Sequence, residues 1–237
     1  MNNFKLTIQY DGTDFAGWQI QNNSVTIQQT IVDKIKILIK EDVNLIGSGR
    51  TDAGVHAWGQ VANFKTEKQI GIEKFQYSLN SILPASIKIK EIKNVGESFH
   101  SRFDAKCRSY FYLISKEQSP FYLNYAYFYS NIKNGNIIKM NELSAVLLGE
   151  HDFTSFAKKN AETKNKICSI YNIKWRETKD FVLFFVEANR FLHGMVKTLV
   201  GTIIKLGLDN CSKNKLNEIL AAEDREAAVS IQRIISI

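Results

Sequence analysis

The chain is predicted to fold as an α+β protein with two antiparallel sheets, and three observations carry that prediction. Apolar alternation marks short half-buried strands, beginning with residues 4–10. Helical spacing marks the segments between them, as in Ile27, Ile31, Ile35, Leu38 and Ile39. The first 95 residues order these elements as β-α-β-β-α-β, and a second, less regular series follows.

After the strand at 4–10, the first helix is expected over 26–40, with Thr26 and Gln29 as a reciprocal capping box. Strands at 43–48 and 59–65, a helix over 72–81 and a strand at 86–95 complete the first half. That order is the ferredoxin-like arrangement, in which helices cover one face of an antiparallel sheet and leave the other open to a partner. In the second half, strands are expected at 106–115 and 125–129, then a helix over 141–148 and two long strands at 167–177 and 181–188. The best amphipathic stripe follows, formed by Leu192, Met195, Val196, Leu199, Val200, Ile203 and Ile204. A helix over 212–222 and a strand at 229–235 close the chain. With only two prolines and no low-complexity linker, halves 1–105 and 106–237 are expected to share a continuous interface, and the cleft between them is the natural place for a site.

Composition excludes several classes. Of the 237 residues, 44% are apolar and 23% charged, the balance of a soluble globular protein. A net charge of +7 and a pI near 9.2 suit a polyanionic partner. Cys107, Cys168 and Cys211 are widely spaced with no C-x-x-C pair, which indicates neither a disulfide framework nor a zinc site and fits a reducing cytoplasm. No signal peptide precedes the first strand, and the longest apolar run, 192–208, is broken by His193, Lys197 and Lys205 and is not a membrane span. The four histidines lack metal-ligand spacing, so no metal is expected. Gly47-Ser48-Gly49 lacks both the Lys-Ser/Thr ending of a phosphate loop and the context of a serine nucleophile elbow.

The most informative segment is Gly47-Ser48-Gly49-Arg50-Thr51-Asp52-Ala53-Gly54-Val55-His56. Three glycines in eight residues permit positive φ and close approach of another backbone, and Arg50 can receive a phosphate or pair with the Asp52 carboxylate. Taken alone, the same residues make a turn that Asp52 closes with its own side chain.

Wider matches point to chemistry. Tyr10-Asp11-Gly12-Thr13-Asp14-Phe15-Ala16-Gly17-Trp18-Gln19-Ile20-Gln21, Thr26-Ile27-Gln28 and Gly49-Arg50-Thr51-Asp52-Ala53-Gly54-Val55-His56 strongly resemble the TruA family of tRNA pseudouridine synthases. Further blocks match in order: Leu79-Asn80-Ser81-Ile82-Leu83-Pro84, Phe99-His100-Ser101-Arg102-Phe103, Arg108-Ser109-Tyr110-Phe111-Tyr112, residues 149–156 and Phe191-Leu192-His193-Gly194-Met195-Val196. The resemblance spans residues 4–208. It implies isomerisation of uridine to pseudouridine in the tRNA anticodon stem-loop, at positions 38, 39 and 40, by a homodimer that needs no cofactor.

The resemblance gives Asp52 the central role, as nucleophile toward C1′ or the base, or as the base that removes the C2′ proton. It assigns Arg50 to expelling or replacing the target nucleotide, and Tyr110 to stacking on the uracil and to proton transfer. Strand alternation allows only one of Tyr110 and Phe111 to face a cleft, and the motif register selects Tyr110. His56 is a substrate-binding candidate, set against the reading of a satisfied structural histidine. Lys197 stands where the family usually has an arginine that would pair with the aspartate, and lysine supplies a point charge with less directional control. Helical spacing would set Lys197 one turn from His193 and near Arg190.

Lys34, Lys36, Lys40, Lys65, Lys106, Arg108 and the basic stretch from Lys158 and Lys159 to Lys164 and Lys166 are candidates for RNA phosphates. A target inside a duplex must be extruded before reaction. The C-terminus departs from the family pattern, lacking its alanine- and proline-rich loop and Gly-Leu strand. Two other readings are an RNA-binding protein with impaired catalysis, motivated by Lys197 and the altered end, and a metal-dependent phosphoryl-transfer enzyme using Asp52 and Asp11.

Overall fold

A computed structural model describes residues 1–159, 163 and 165–231. It divides into two compact units, one comprising Met1–Ala105 and the other beginning at Lys106. The protein has the mixed α+β architecture predicted. Among the described residues, no helix is long and apolar enough to cross a membrane.

The first unit runs β1 (Asn2–Tyr10), α1 (Ile27–Ile39), β2 (Ile46–Gly47), β3 (Ala57–Thr66), α2 (Ile72–Ile82) and β4 (Ile87–Val95). Its strands are ordered β2-β3-β1-β4, and every pair is antiparallel. Phe4, Leu6 and Ile8 alternate along β1 and are buried in one core with Ile27, Ile31 and Ile35 of α1 and Leu79 of α2. Each such apolar side chain contributes roughly 1.5–3 kcal/mol by leaving water. Asn80 of α2 clamps β4, its amide donating to Ile89 O (2.9 Å) while its carbonyl accepts Ile89 N–H (2.8 Å).

The capping box at the start of α1 forms only by half. Thr26 accepts Gln29 N–H at 3.3 Å, but the Gln29 side chain turns forward to Asp33 (2.6 Å) instead of back to the cap. A carboxylate one turn along the helix is the stronger acceptor.

The second unit runs β5 (Arg108–Ser115), β6 (Tyr127–Phe128), α3 (Ile137–Ser144), β7 (Gly149–Asp152), β8 (Ile167–Glu177), β9 (Phe181–Ala188), α4 (Met195–Leu208) and α5 (Lys213–Ala221). Its sheet is β6-β5-β9-β8-β7, with β5 and β6 parallel and the other pairs antiparallel. The expectation of purely antiparallel sheets is corrected at that pair: β6 follows β5 through a long irregular connection, which lets it return in the same direction. With five strands, this sheet does not copy the first.

Helix α3 starts at Ile137, four residues before the expected position, because Asn136 caps it by accepting Lys139 N–H at 3.0 Å. Strand β7 was not expected: it is a short polar edge strand with no alternation to betray it. Helix α4 buries Met195, Leu199, Val200 and Ile203 completely. The chain after α5 returns across it, where Thr202 Oγ1 exchanges hydrogen bonds with Val229 O (3.1 Å) and Val229 N–H (3.0 Å). Of the strand expected at 229–235, the first three residues are irregular and the remainder lies outside the described residues.

Candidate active site

In the first unit, two glycine-rich segments about 40 residues apart in sequence are fastened to each other. The β1–α1 connection donates Trp18 N–H to Thr51 O (3.1 Å), and Phe15 O accepts Gly54 N–H (3.2 Å). Tyr10 and Thr51 join through their hydroxyls at 2.9 Å. Beyond the aspartate, Val55 N–H donates to Asp52 O (3.2 Å) and closes a tight turn. The main chain is therefore held on both sides of Asp52, whereas the Asp52 and Arg50 side chains are exposed. Asp52 and Arg50 thus sit at exposed positions on a main chain that is held in place.

Glycine is what allows the two segments to lie this close. A Cβ on Gly12 would stand 2.1 Å from Val55 O, and one on Gly17 would stand 2.5 Å from Thr51 O. Gly17 also adopts a φ of +93°, and Gly54, two residues after the aspartate, a φ of +75°.

His56 is buried, and its Nδ1 accepts Gly12 N–H at 3.1 Å with Asp11 Oδ1 3.0 Å away. The Gly12 bond ties the end of the loop to the β1–α1 connection. The same Asp11 oxygen accepts the Thr13 N–H (2.9 Å) and hydroxyl (2.6 Å), so Asp11 shapes its own turn. Among the described residues, no group of three or more His, Cys, Asp or Glu could hold a metal ion.

In the second unit, Tyr110 lies on β5 opposite Val186 of β9. It shares a sheet face with Tyr112 and Ile114, whose side chains are buried, while Phe111 packs against Phe185 on the opposite face at 4.9 Å. Tyr110 itself is half-buried at the margin of that core, and Phe191 meets it edge-on at 4.9 Å. The blocks around residues 110 and 191 are thus brought together. Burial pushes the Tyr112 phenol well above the usual tyrosine range, with Tyr127 adding to the shift.

Lys197 is half-buried in the first turn of α4. The helix begins at Met195 behind a left-handed Gly194, so helical spacing does not extend back to His193 or Arg190, contrary to the expectation. Arg190 instead donates to Asn165 O at 2.5 Å, and His193 O accepts Lys158 N–H at 2.8 Å. Arg190 also lies beside Cys168, whose thiol is pushed up by burial against the opposing effect of that guanidinium.

Several basic candidates have partners of their own. Lys36 is bonded to Asp42 at 2.6 Å, which raises its pKa, and Lys159 pairs with Glu226 at 3.1 Å. Arg108 donates to Asn189 O at 2.8 Å and so fastens β5 to the end of β9. Lys164 lies outside the described residues. Sequence reasoning missed Tyr10, Gly12, Gly17 and Thr51 as the residues that hold the Asp52 loop; they lie in the quoted motifs, but nothing in their spacing announces the pairing.

Comparison with known proteins places these motifs in a wider setting. A family model described as tRNA pseudouridine synthase matches residues 6–104 and 143–234. Arg50, Asp52, His56 and Lys197 fall within those stretches, and Tyr110 falls between them. The chain is 40% identical over 230 residues to tRNA pseudouridine synthase A of Thermoanaerobacter sp. (strain X514), covering 96% of this chain and 93% of the relative. It is 41% identical over 232 residues to the protein of the same name from Brachyspira hyodysenteriae, covering 96% and 92%. With tRNA pseudouridine synthase A 2 of Bacillus cereus the identity is 39% over 228 residues, covering 95% and 92%.

Proposed function

The chain belongs to the tRNA pseudouridine synthase family, an isomerase family, and from that premise we propose that it isomerises uridine in the tRNA anticodon stem-loop at positions 38, 39 and 40, with Asp52 as catalytic carboxylate. The observation that carries the proposal is the exposed Asp52 on a backbone held by hydrogen bonds on either side. Preorganisation of this kind is what a reaction needs when one group must meet one carbon at a set distance.

The reaction breaks the N1–C1′ bond, turns the uracil and joins C5 to C1′; C5 gives up its hydrogen as a proton and N1 gains one. No electron changes hands, so the chemistry requires no redox partner. Asp52 acts either by attack on C1′ or the base, or by removing the C2′ proton. Arg50 expels or replaces the extruded nucleotide, whose unstacking costs a few kcal/mol. Tyr110 stacks on the uracil and takes part in proton transfer, and Lys197 supplies a cation for substrate binding. His56 serves substrate binding indirectly, through its contacts with Gly12 and Asp11. A homodimer in the cytoplasm acting on tRNA completes the proposal. The β-α-β-β-α-β order of the first unit supports reading it as a ferredoxin-like half.

The test is to incubate unmodified tRNA transcripts with the protein and map pseudouridine by carbodiimide modification and primer extension. The proposal expects stops one nucleotide 3′ of positions 38–40. Stops elsewhere would remove the positional assignment, and tRNA binding without any stop would favour an RNA-binding protein in which Lys197 fails to replace the usual arginine.

A further inference from the structure

We propose that Trp58 is a stacking platform for an unpaired base in the loop strand of the substrate RNA, on the face of the first unit's sheet opposite α1 and α2. The proposal rests on the tRNA reading above. Strand β3 continues directly from the Asp52 loop, and its register with β1 is broken at the start. Tyr10 pairs with Ala57 and Ile8 with Gln60, so the single residue Gln9 faces both Trp58 and Gly59. Such a bulge bends the strand and re-aims its side chains, and bulges concentrate beside active sites.

The side toward which the bulge points follows from the alternation. Ala57 and Gln60 are partners of Tyr10 and Ile8, which belong to the helix-covered core, so the two residues between them belong to the opposite face. A Cβ built on Gly59 agrees, its nearest neighbour being the Thr7 methyl at 4.0 Å on that face. Trp58 is 62% exposed, whereas Trp18 and Trp175 are each 1% exposed.

The surroundings decide between partners. A protein partner is usually met by a contiguous apolar patch. Around Trp58 the face carries Thr7 and Gln9 from β1 and the half-buried Val61 opposite Thr7, with Lys5, Lys65 and Lys93 outnumbering the one carboxylate, Glu91, so the face is mainly polar with an excess of cations. The far end of this face is covered where Ser101 bonds the buried Asn63, but at the Trp58 end one large exposed aromatic stands among polar and cationic groups, the composition that binds single-stranded RNA, with the ring stacking on a base and the cations meeting phosphates. Trp58 also stands six residues from Asp52, a span of at most about 20 Å if fully extended and less because of the intervening turn. Extruding the target uridine unstacks its neighbours, which supplies an unpaired base at this range.

The three tryptophans make the test direct, because iodide quenches an exposed indole and spares buried ones. In the free protein, iodide should quench the Trp58 emission, and saturating tRNA should shield it; the Trp58→Phe variant should show neither change. Trp58→Ala should raise the KM for tRNA about 5- to 150-fold, corresponding to ~1–3 kcal/mol, with kcat at saturating tRNA close to wild type. Trp58→Phe should restore most of the affinity. Unchanged KM in Trp58→Ala, or an indole still quenched in the tRNA complex, would overturn the proposal while leaving wild-type turnover to vouch for the tRNA reading. Shielding that tracks protein concentration without RNA would overturn it in favour of a second copy on this face. Wild type that binds tRNA through Trp58 but forms no pseudouridine would instead overturn the reading of the activity.

Discussion

Replacing Gly12 by alanine adds one methyl group at the point where the β1–α1 connection presses on the Asp52 loop. The new Cβ would lie 2.1 Å from Val55 O, and ordinary contact begins near 3.4 Å, so the two segments must separate by about 1.3 Å. Gly12 has no positive φ, so the effect is pure overpacking rather than backbone strain. Val55 is three residues from Asp52, and the separation also stretches the 3.1 Å bond from Gly12 N–H to His56. Overpacking of this kind costs roughly 1–3 kcal/mol of stability. Misplacing a catalytic group by an ångström costs on the order of 100-fold in rate. Gly96→Ala is the control, since a Cβ there meets nothing within 4 Å. Single-turnover tritium release from tRNA should fall about 100-fold in Gly12→Ala and remain near wild type in Gly96→Ala, with urea unfolding confirming that both variants fold. Equal rates in the two folded variants would refute the claim that the loop must be held to work.

Other outcomes follow from the second unit. Exposed Cys107 should react promptly with a thiol reagent, while Cys168, buried and held protonated, should react only on unfolding; rapid labelling of Cys168 in the native protein would contradict its placement. Tyr112 gives a pH dependence with a definite sign. Below about pH 10 its phenol is protonated in both states, and above it the unfolded state ionises first, so stability falls by up to about 1.4 kcal/mol per pH unit. Urea titrations should show that alkaline slope in wild type and a shallower one in Tyr112→Phe; identical slopes would exclude this residue as its source. If Lys197 supplies a cation to the reaction as proposed, Lys197→Ala should lower kcat tenfold or more while Lys197→Arg, which keeps that charge, retains turnover. Unchanged kcat in Lys197→Ala would remove Lys197 from the mechanism.

Much of the fold could be read from local pattern. Strands β8 and β9 match their expected bounds to the residue because long alternating runs flank a three-residue turn that Thr178 closes onto Phe181. Strand β7 escaped because a glycine and three polar residues at a sheet edge owe their conformation to pairing with β8 rather than to any pattern of their own. The early start of α3 depends on Asn136, which caps it five residues before Asn141, while Asn141 brackets the main chain of Trp175. At the site, the bend around Asp52 was legible from its glycines. Its support was not, since the hydroxyl pair of Tyr10 and Thr51 joins residues 41 apart in sequence and only the folded sheet brings them within 2.9 Å.

The central claim is that Asp52 drives uridine isomerisation, and forming the C5 glycosidic bond must release the hydrogen at C5. Tritium release from tRNA containing [5-³H]uridine, measured for wild type and Asp52→Asn beside their tRNA affinities, tests it most directly. Wild type should release tritium in excess EDTA, and Asp52→Asn should release none while binding tRNA within a few-fold of wild type. Release by Asp52→Asn at the wild-type rate would contradict the account, as would a wild type that binds tRNA and releases nothing.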